Sequence, residues 1–260
     1  SFKGNFPKNL KLYDVEDIKK EIEGLDISHL KRPEPAGDEI LEIMYTSGTT
    51  GEPKGVRLSH KNIYSNVEAV SKIIPISKND KFLSILPLSH IFEQTVGFLL
   101  PFKNAATIVY TPYPALIRQL LKEHRITKMA AVPEFLKIVM SRIVSGAREK
   151  GKEKLFEKML ELSGRIKINF LRRVLFYSLH KEFGGRLLTL ASGGAPLDPQ
   201  LERKWEALGI KLLQGYGLTE TSPIISCNTY KYKRLGSVGK ILPGVQVKIA
   251  ADGEILVKSL

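Results

Sequence analysis

The chain has 260 residues, 43% of them hydrophobic and 26% charged, with a formal net charge of +13. That composition supports a buried core without disulfide or metal staples and excludes disordered, collagenous and low-complexity classes. One cysteine, Cys227, allows no intramolecular disulfide, no His or Cys spacing suits a structural zinc, and the longest apolar run, 96–102, is too short to span a bilayer.

The first thirty residues mix charges and lack a signal peptide's apolar centre, so a soluble protein of the reducing cytoplasm is expected. The charge is uneven. Residues 1–40 carry seven basic and nine acidic side chains, whereas residues 142–186 carry twelve basic and five acidic ones. A local basic surface invites a polyanion or an anionic membrane as partner.

Past Pro33, Pro35 and Gly37, short apolar runs alternate with amphipathic stretches. Residues 40–45 read as a buried strand, followed by a Gly/Thr-rich turn at 46–55 and a short strand at 56–58. Ser59 is placed to cap a helix whose Ile63, Val67, Val70 and Ile74 recur at helical spacing. Strands are predicted at 81–86, 106–110 and 126–132, with helices at 92–102 and 115–124. A basic amphipathic helical segment covers 141–182. A strand at 187–191, a helix opened by Asp198 and Pro199 and closed by Gly209, and a strand at 211–214 follow. This alternation predicts an α/β fold of layered parallel sheets with flanking helices. From Gly236, the alternating Val245, Val247 and Ile249 and the turn 251–254 predict the start of a small antiparallel unit.

The segment Tyr45-Thr46-Ser47-Gly48-Thr49-Thr50-Gly51-Glu52-Pro53-Lys54-Gly55 carries the strongest chemical signal. Its glycines let the backbone approach a ligand, its hydroxyls donate hydrogen bonds, and Lys54 adds a point charge, which together suit a polyphosphate. It is not a Walker A loop, because Lys54 is followed by Gly55 and a strand instead of a hydroxyl residue opening a helix.

This loop resembles the phosphate loop of the acyl-adenylate-forming (AMP-binding) superfamily, and further segments match the family in order. Pro87-Leu88-Ser89-His90-Ile91-Phe92 is similar to its Pro-Leu-x-His-aromatic segment, Ala191-Ser192-Gly193-Gly194-Ala195-Pro196-Leu197 to its adenine loop, and 214–221, with Gly215, Tyr216 and Gly217, to its most diagnostic motif. Two later matches lie at 236–240 and 253–255. The basic insertion at 141–182 makes the chain most like a long-chain fatty-acid:CoA ligase.

The resemblance implies a core at 1–235, the start of a small antiparallel β-barrel subdomain at 236–260, and a C-terminal domain carrying a catalytic Lys that is absent here. It implies ATP-dependent activation of a fatty acid to acyl-AMP, release of pyrophosphate and transfer to CoA, with ATP and Mg²⁺ as cofactors. Ser47, Gly48, Thr49, Thr50, Gly51 and Lys54, beside Thr46, would hold the phosphates. Gly193, Gly194, Ala195, Tyr216 and the flanking Gly215 and Gly217 would receive adenine, and Thr219 the α-phosphate. Glu220 would bind Mg²⁺, and His90 would lie near the carboxylate. An acyl-AMP or acyl-carrier-protein ligase is the alternative within the fold, and a polyanion-binding or membrane-surface module the non-enzymatic one. No nucleic-acid partner is implied. Peripheral association with an anionic inner membrane face follows from the basic segment. Trp205 reads as packing and Cys227 as inert. Acyl chain length, thiol acceptor and oligomeric state stay open.

Overall fold

The computed structural model describes residues 20–23, 25–26, 34, 36–47 and 52–258. The chain divides into two compact units, Ser1–Pro35 and Ala36–Leu260. In the first, residues 20–23 form one helical turn.

The second unit is built on a seven-stranded sheet of order β4-β3-β5-β6-β7-β8-β9. Its strands are β3 (Lys81–Ser84), β4 (Thr107–Tyr110), β5 (Lys128–Ala131), β6 (Thr189–Ser192), β7 (Lys211–Gly217), β8 (Ile224–Cys227) and β9 (Lys240–Ile241). The first five in that spatial order pair in parallel, and β8 and β9 add antiparallel pairs at one edge. The expected α/β architecture with a largely parallel sheet is thus present. Strand β7 runs three residues beyond the predicted 211–214, because Gly215, Tyr216 and Gly217 pair with β8. Strand β9 lies past position 236 and still joins the large sheet.

Period-2 alternation sends neighbouring residues to opposite faces. Met129, Leu190 and Leu212 join the core packed by α3 (Ile117–His124), α4 (Pro133–Glu149), α5 (Glu153–Arg165) and α8 (Pro199–Ala207). Ala130, Ala191 and Leu213 face α1 (His60–Ile73) and α2, a helix over 91–103. Two of these three are alanines, which leaves space between the sheet and that second layer of helices.

Local chemistry explains the helix starts. Ser59 accepts from the Asn62 N–H at 3.2 Å while Asn62 Oδ1 accepts from the Ser59 N–H at 3.0 Å, a reciprocal cap for α1. Asp198 caps α8 through the Gln200 N–H at 2.8 Å, with Pro199 at the first helical position. Helix α2 is α-helical over Ile91–Glu93 and Leu100–Lys103 and π-helical over Gln94–Leu99. The basic segment forms the ends of α4, then α5, α6 (Asn169–Leu175) and α7 (Tyr177–Glu182).

The strand expected to be buried at 40–45 is a correction. It is β1 (Ile40–Ser47), paired antiparallel with β2 (Pro53–Ser59) in a separate ribbon. Met44 packs into the core, but Leu41, Ile43 and Tyr45 are exposed, because a two-stranded ribbon turns only one face to the protein. Strands β10 (Gln246–Ile249) and β11 (Ile255–Lys258) form an antiparallel hairpin, as the alternation predicts. Among the described residues, no helix is long and apolar enough to cross a membrane.

Candidate functional site

The loops leaving the carboxyl ends of β3, β6 and β7 converge. Helix α2 begins at His90, the exposed residue closing the loop after β3. The Phe92 ring two residues on packs so closely to Gly193, in the loop after β6, that a Cβ there would lie 3.0 Å from the ring. The segment after β7 is fixed by Thr221, whose hydroxyl donates towards the carbonyls of Leu218 and Pro223, both at 2.9 Å, and accepts from the Leu218 N–H at 2.9 Å. That turn presents Thr219 and an exposed Glu220. Behind it, Gly217 lies against the Pro223 carbonyl, where any Cβ would collide with backbone.

These elements surround a cavity of about 620 Å³. Its polar lining brings together Thr46, Lys54, His90, Gly193, Gly194, Gly215, Gly217, Thr219 and Glu220, nine of the residues singled out from sequence. Ala195 and Tyr216 are not among its lining residues. Gly48, Thr49, Thr50 and Gly51 lie outside the described residues, as does the side chain of Ser47.

Beyond this mouth the cavity turns apolar. Val70 of α1 and Ile74 just after it, Phe82 of β3, and Val96 and Leu100 of α2 line it, and it reaches Lys128 and Thr189, the first residues of β5 and β6. Lys128 bonds Asp80 Oδ1 at 2.5 Å, and Thr127 donates to the same oxygen at 2.8 Å. Burial alone would raise the Asp80 pKa; the Lys128, Ser77 and Thr127 hydrogen bonds outweigh it and hold the carboxyl below its ordinary range.

Sequence reasoning missed Glu93. It is 0% exposed in the first turn of α2, lines the cavity, and neither carboxyl oxygen has a well-formed hydrogen bond. Burial pushes its pKa up to about 7, against the pull of the Ser84 hydroxyl and the Ile85 and Leu86 backbone. Gly97, one turn on, leaves the carboxyl its space. The signal available was a lone acid inside the predicted helix 92–102.

Trp205 is buried against Phe183 in the sheet's other layer. Cys227 lines the apolar part of the cavity, and burial pushes its thiol up to about 11, which keeps it protonated and unreactive. Among the described residues, no group of three or more His, Cys, Asp or Glu could hold a metal by itself. A lone carboxylate such as Glu220 does suit Mg²⁺ brought in with phosphates, since that ion keeps water and phosphate oxygens as most of its ligands.

A cleft over the carboxyl ends of parallel strands, rimmed by glycine loops and a lysine, is where α/β proteins of the open-sheet type receive a nucleotide. The fold and cavity therefore define a nucleotide-type α/β domain with an apolar annex. The chain belongs to the AMP-binding enzyme family, whose profile matches residues 3–258. It is 32% identical over 224 residues to the peroxisomal long chain acyl-CoA synthetase 6 of Arabidopsis thaliana, covering 83% of this chain and 32% of that protein. It is 28% identical over 233 residues to the long-chain-fatty-acid–CoA ligase FadD15 of Mycobacterium tuberculosis, covering 83% and 39%. Among solved structures, ATP-bound MatB from Rhodopseudomonas palustris superposes with a TM-score of 0.69 at 26% identity, over 93% of this chain and 44% of that one. The chain thus spans about a third to two fifths of the curated relatives it matches.

Proposed function

We propose that this chain is the nucleotide- and acyl-binding core of a long-chain fatty-acid:CoA ligase. The observation that carries the reading is one cavity with two chemistries: a mouth of lysine, hydroxyl, imidazole and glycine groups, and a depth lined by aliphatic and aromatic side chains. ATP suits the first and a fatty-acyl chain the second.

The reaction joins a carboxylate oxygen to the α-phosphorus of ATP as the bond to pyrophosphate breaks. Both reactants are anions, so catalysis rests on positive charge and positioning more than on a protein nucleophile. Lys54 and Thr46, with Ser47, Gly48, Thr49, Thr50 and Gly51, hold the phosphates; Thr219 donates to the α-phosphate; His90 lies beside the carboxylate. Gly193, Gly194, Ala195, Gly215, Tyr216 and Gly217 frame adenine. Glu220 would hold Mg²⁺, which would supply positive charge against the phosphates. The acyl-adenylate then passes its acyl group to the CoA thiol, releasing AMP. The protein works in the cytoplasm and meets its substrate at an anionic membrane face through the basic segment 142–186.

Carboxylate-dependent exchange of pyrophosphate into ATP by the full-length protein, across fatty acids of increasing length, tests this. Long-chain acids should support exchange. A preference for aromatic or amino acids would overturn the fatty-acid assignment.

A further inference from the structure

A second cavity, of about 600 Å³, lies where α3, α6 and α7 meet. Helix α3 leads into the start of β5, and α7 into the start of β6, so this pocket sits at the amino edge of the sheet. The ATP-type mouth occupies the opposite, carboxyl edge. The apolar depth of the first cavity runs towards the amino edge, to Lys128 and Thr189.

Four cations line the second pocket: Lys122, Arg125, Arg173 and Lys181. Its one carboxylate, Glu182, is already taken, by Lys122 at 2.8 Å and by Arg118, and these two partners hold its pKa down to about 2. Among the described residues the Arg173 guanidinium donates only to carbonyls, those of Leu187 at 2.7 Å, Gly185 at 3.0 Å and Gly209 at 3.5 Å. Among the described residues it has no carboxylate partner although it is half-buried, and burial lowers its pKa. Arg125 and Lys181 are exposed and form no ion pair among the described residues. With Glu182 paired to Lys122 and Arg118, the Arg125, Arg173 and Lys181 side chains leave this concave surface with an excess of positive charge.

The same pocket has an apolar lip. Phe170, Val174 and Tyr177 stand at positions i, i+4 and i+7 along α6 and the start of α7, and all three are exposed, Phe170 at 70% and Tyr177 at 69%. Ile168 and Leu171 extend the patch. Helix α6 contributes no buried residue at all. Aromatic and aliphatic groups rimmed by Lys and Arg are the composition of a surface that lies in a bilayer interface. A free nucleotide would leave the lip in water, and an apolar protein partner would strip water from four cations.

We propose that this pocket binds the phosphate headgroup of an anionic phospholipid, with Phe170, Val174 and Tyr177 entering the acyl boundary beside it. The proposal deepens the membrane reading given above and rests on it. It sets the amino edge of the sheet against the bilayer, the edge towards which the acyl cavity runs.

The test is sedimentation of the full-length protein with vesicles of phosphatidylglycerol mixed with phosphatidylcholine, and with vesicles of phosphatidylcholine alone, at low salt. The parent should prefer the anionic vesicles. Arg125→Gln/Lys181→Gln removes two exposed charges and should weaken partition roughly 30-fold, from about one factor of five to six per basic residue. Phe170→Ser/Tyr177→Ser should weaken binding while keeping the anionic preference. Both variants should exchange pyrophosphate at the parent rate in vesicle-free buffer, which shows that they fold. Parent-like partition of the charge variant would overturn the pocket and leave the membrane reading standing. A parent without anionic preference would overturn both. Glycerol phosphate displacing the protein from vesicles at low concentration would make this a soluble-phosphate site and overturn the lipid assignment.

Discussion

Asn66 holds both backbone groups of Ile224, 158 residues away: its Nδ2 donates to the Ile224 carbonyl at 2.7 Å and its Oδ1 accepts from the Ile224 N–H at 3.3 Å. One amide thus fixes α1 against the start of β8, immediately after the turn that carries Thr219 and Glu220. Asn66 is buried, so Asn66→Ala leaves an N–H and a carbonyl without partners or water. A loss of about 2–4 kcal/mol is expected. Asn66→Asp turns a carboxylate oxygen towards the Ile224 carbonyl in a buried site and should cost at least as much as Asn66→Ala. A denaturant midpoint within error of the parent for Asn66→Ala would refute the clamp.

Glu93 should make the fold weaken as pH rises. Its carboxyl titrates near 7 in the folded chain against 4.5 for a free side chain, so the folded state holds the proton more tightly. This group's contribution is therefore most favourable below pH 4.5, declines between 4.5 and 7, and is level above. Glu93→Gln keeps shape and removes the titration. It should flatten that decline and add up to about 3 kcal/mol above pH 7. Unfolding free energies measured across that range decide it; parallel curves for parent and variant would show that Glu93 is not held protonated.

The Asp80–Lys128 pair at the amino edge behaves in the opposite sense. Asp80 is held below its ordinary pKa, so its contribution is present above the ordinary carboxylate range and is lost as pH falls through the depressed value. Both side chains are nearly buried, 12% and 10% exposed. Asp80→Leu strands the ammonium and should cost about 3–5 kcal/mol, whereas Asp80→Leu/Lys128→Met should recover much of it. Thermal unfolding of the two variants measures the difference. If the double variant is no more stable than the single one, the pair is not the interaction that matters there.

What was legible in the sequence follows from which interactions are local. Ser59, Asp198 and Gly209 act within a turn of chain, and α1 and α8 begin and end where they indicate. Linear motifs brought His90, Gly193 and Thr219 to one cavity because each follows a strand of the same sheet, and Lys54 joins them from the start of β2 in the separate ribbon. The apolar half of that cavity was hidden. Val70 and Ile74 form an ordinary helical stripe, and nothing local distinguishes a side chain facing a cavity from one facing a core. Strand β8 was overlooked because its four residues carry no alternation; all four are buried. The pocket at Arg125 and Lys181 joins α3 and α7, which β5, α4, α5 and α6 separate along the chain, a proximity that no spacing expresses.

Gly215 and Gly217 belong to one motif, and the structure separates their reasons. A Cβ on Gly217 would meet the Pro223 carbonyl, backbone that cannot swing aside. Gly217→Ala should push β7 away from the 218–223 turn, cost about 1–3 kcal/mol as overpacking does, and carry Thr219 and Glu220 out of place. A Cβ on Gly215 would find the Ser226 carbonyl at 3.4 Å and Cys227 Cβ at 3.6 Å, ordinary contacts, so Gly215→Ala should fold with little loss. Its methyl would still intrude on the cavity that Gly215 lines. The expected pattern is a lower midpoint and weaker ATP binding for Gly217→Ala, against a parent-like midpoint and weaker ATP binding for Gly215→Ala. Calorimetric titration with ATP beside thermal unfolding reads both. Undiminished ATP affinity in Gly215→Ala would place the nucleotide away from β7 and remove Tyr216 and its glycines from the adenine site.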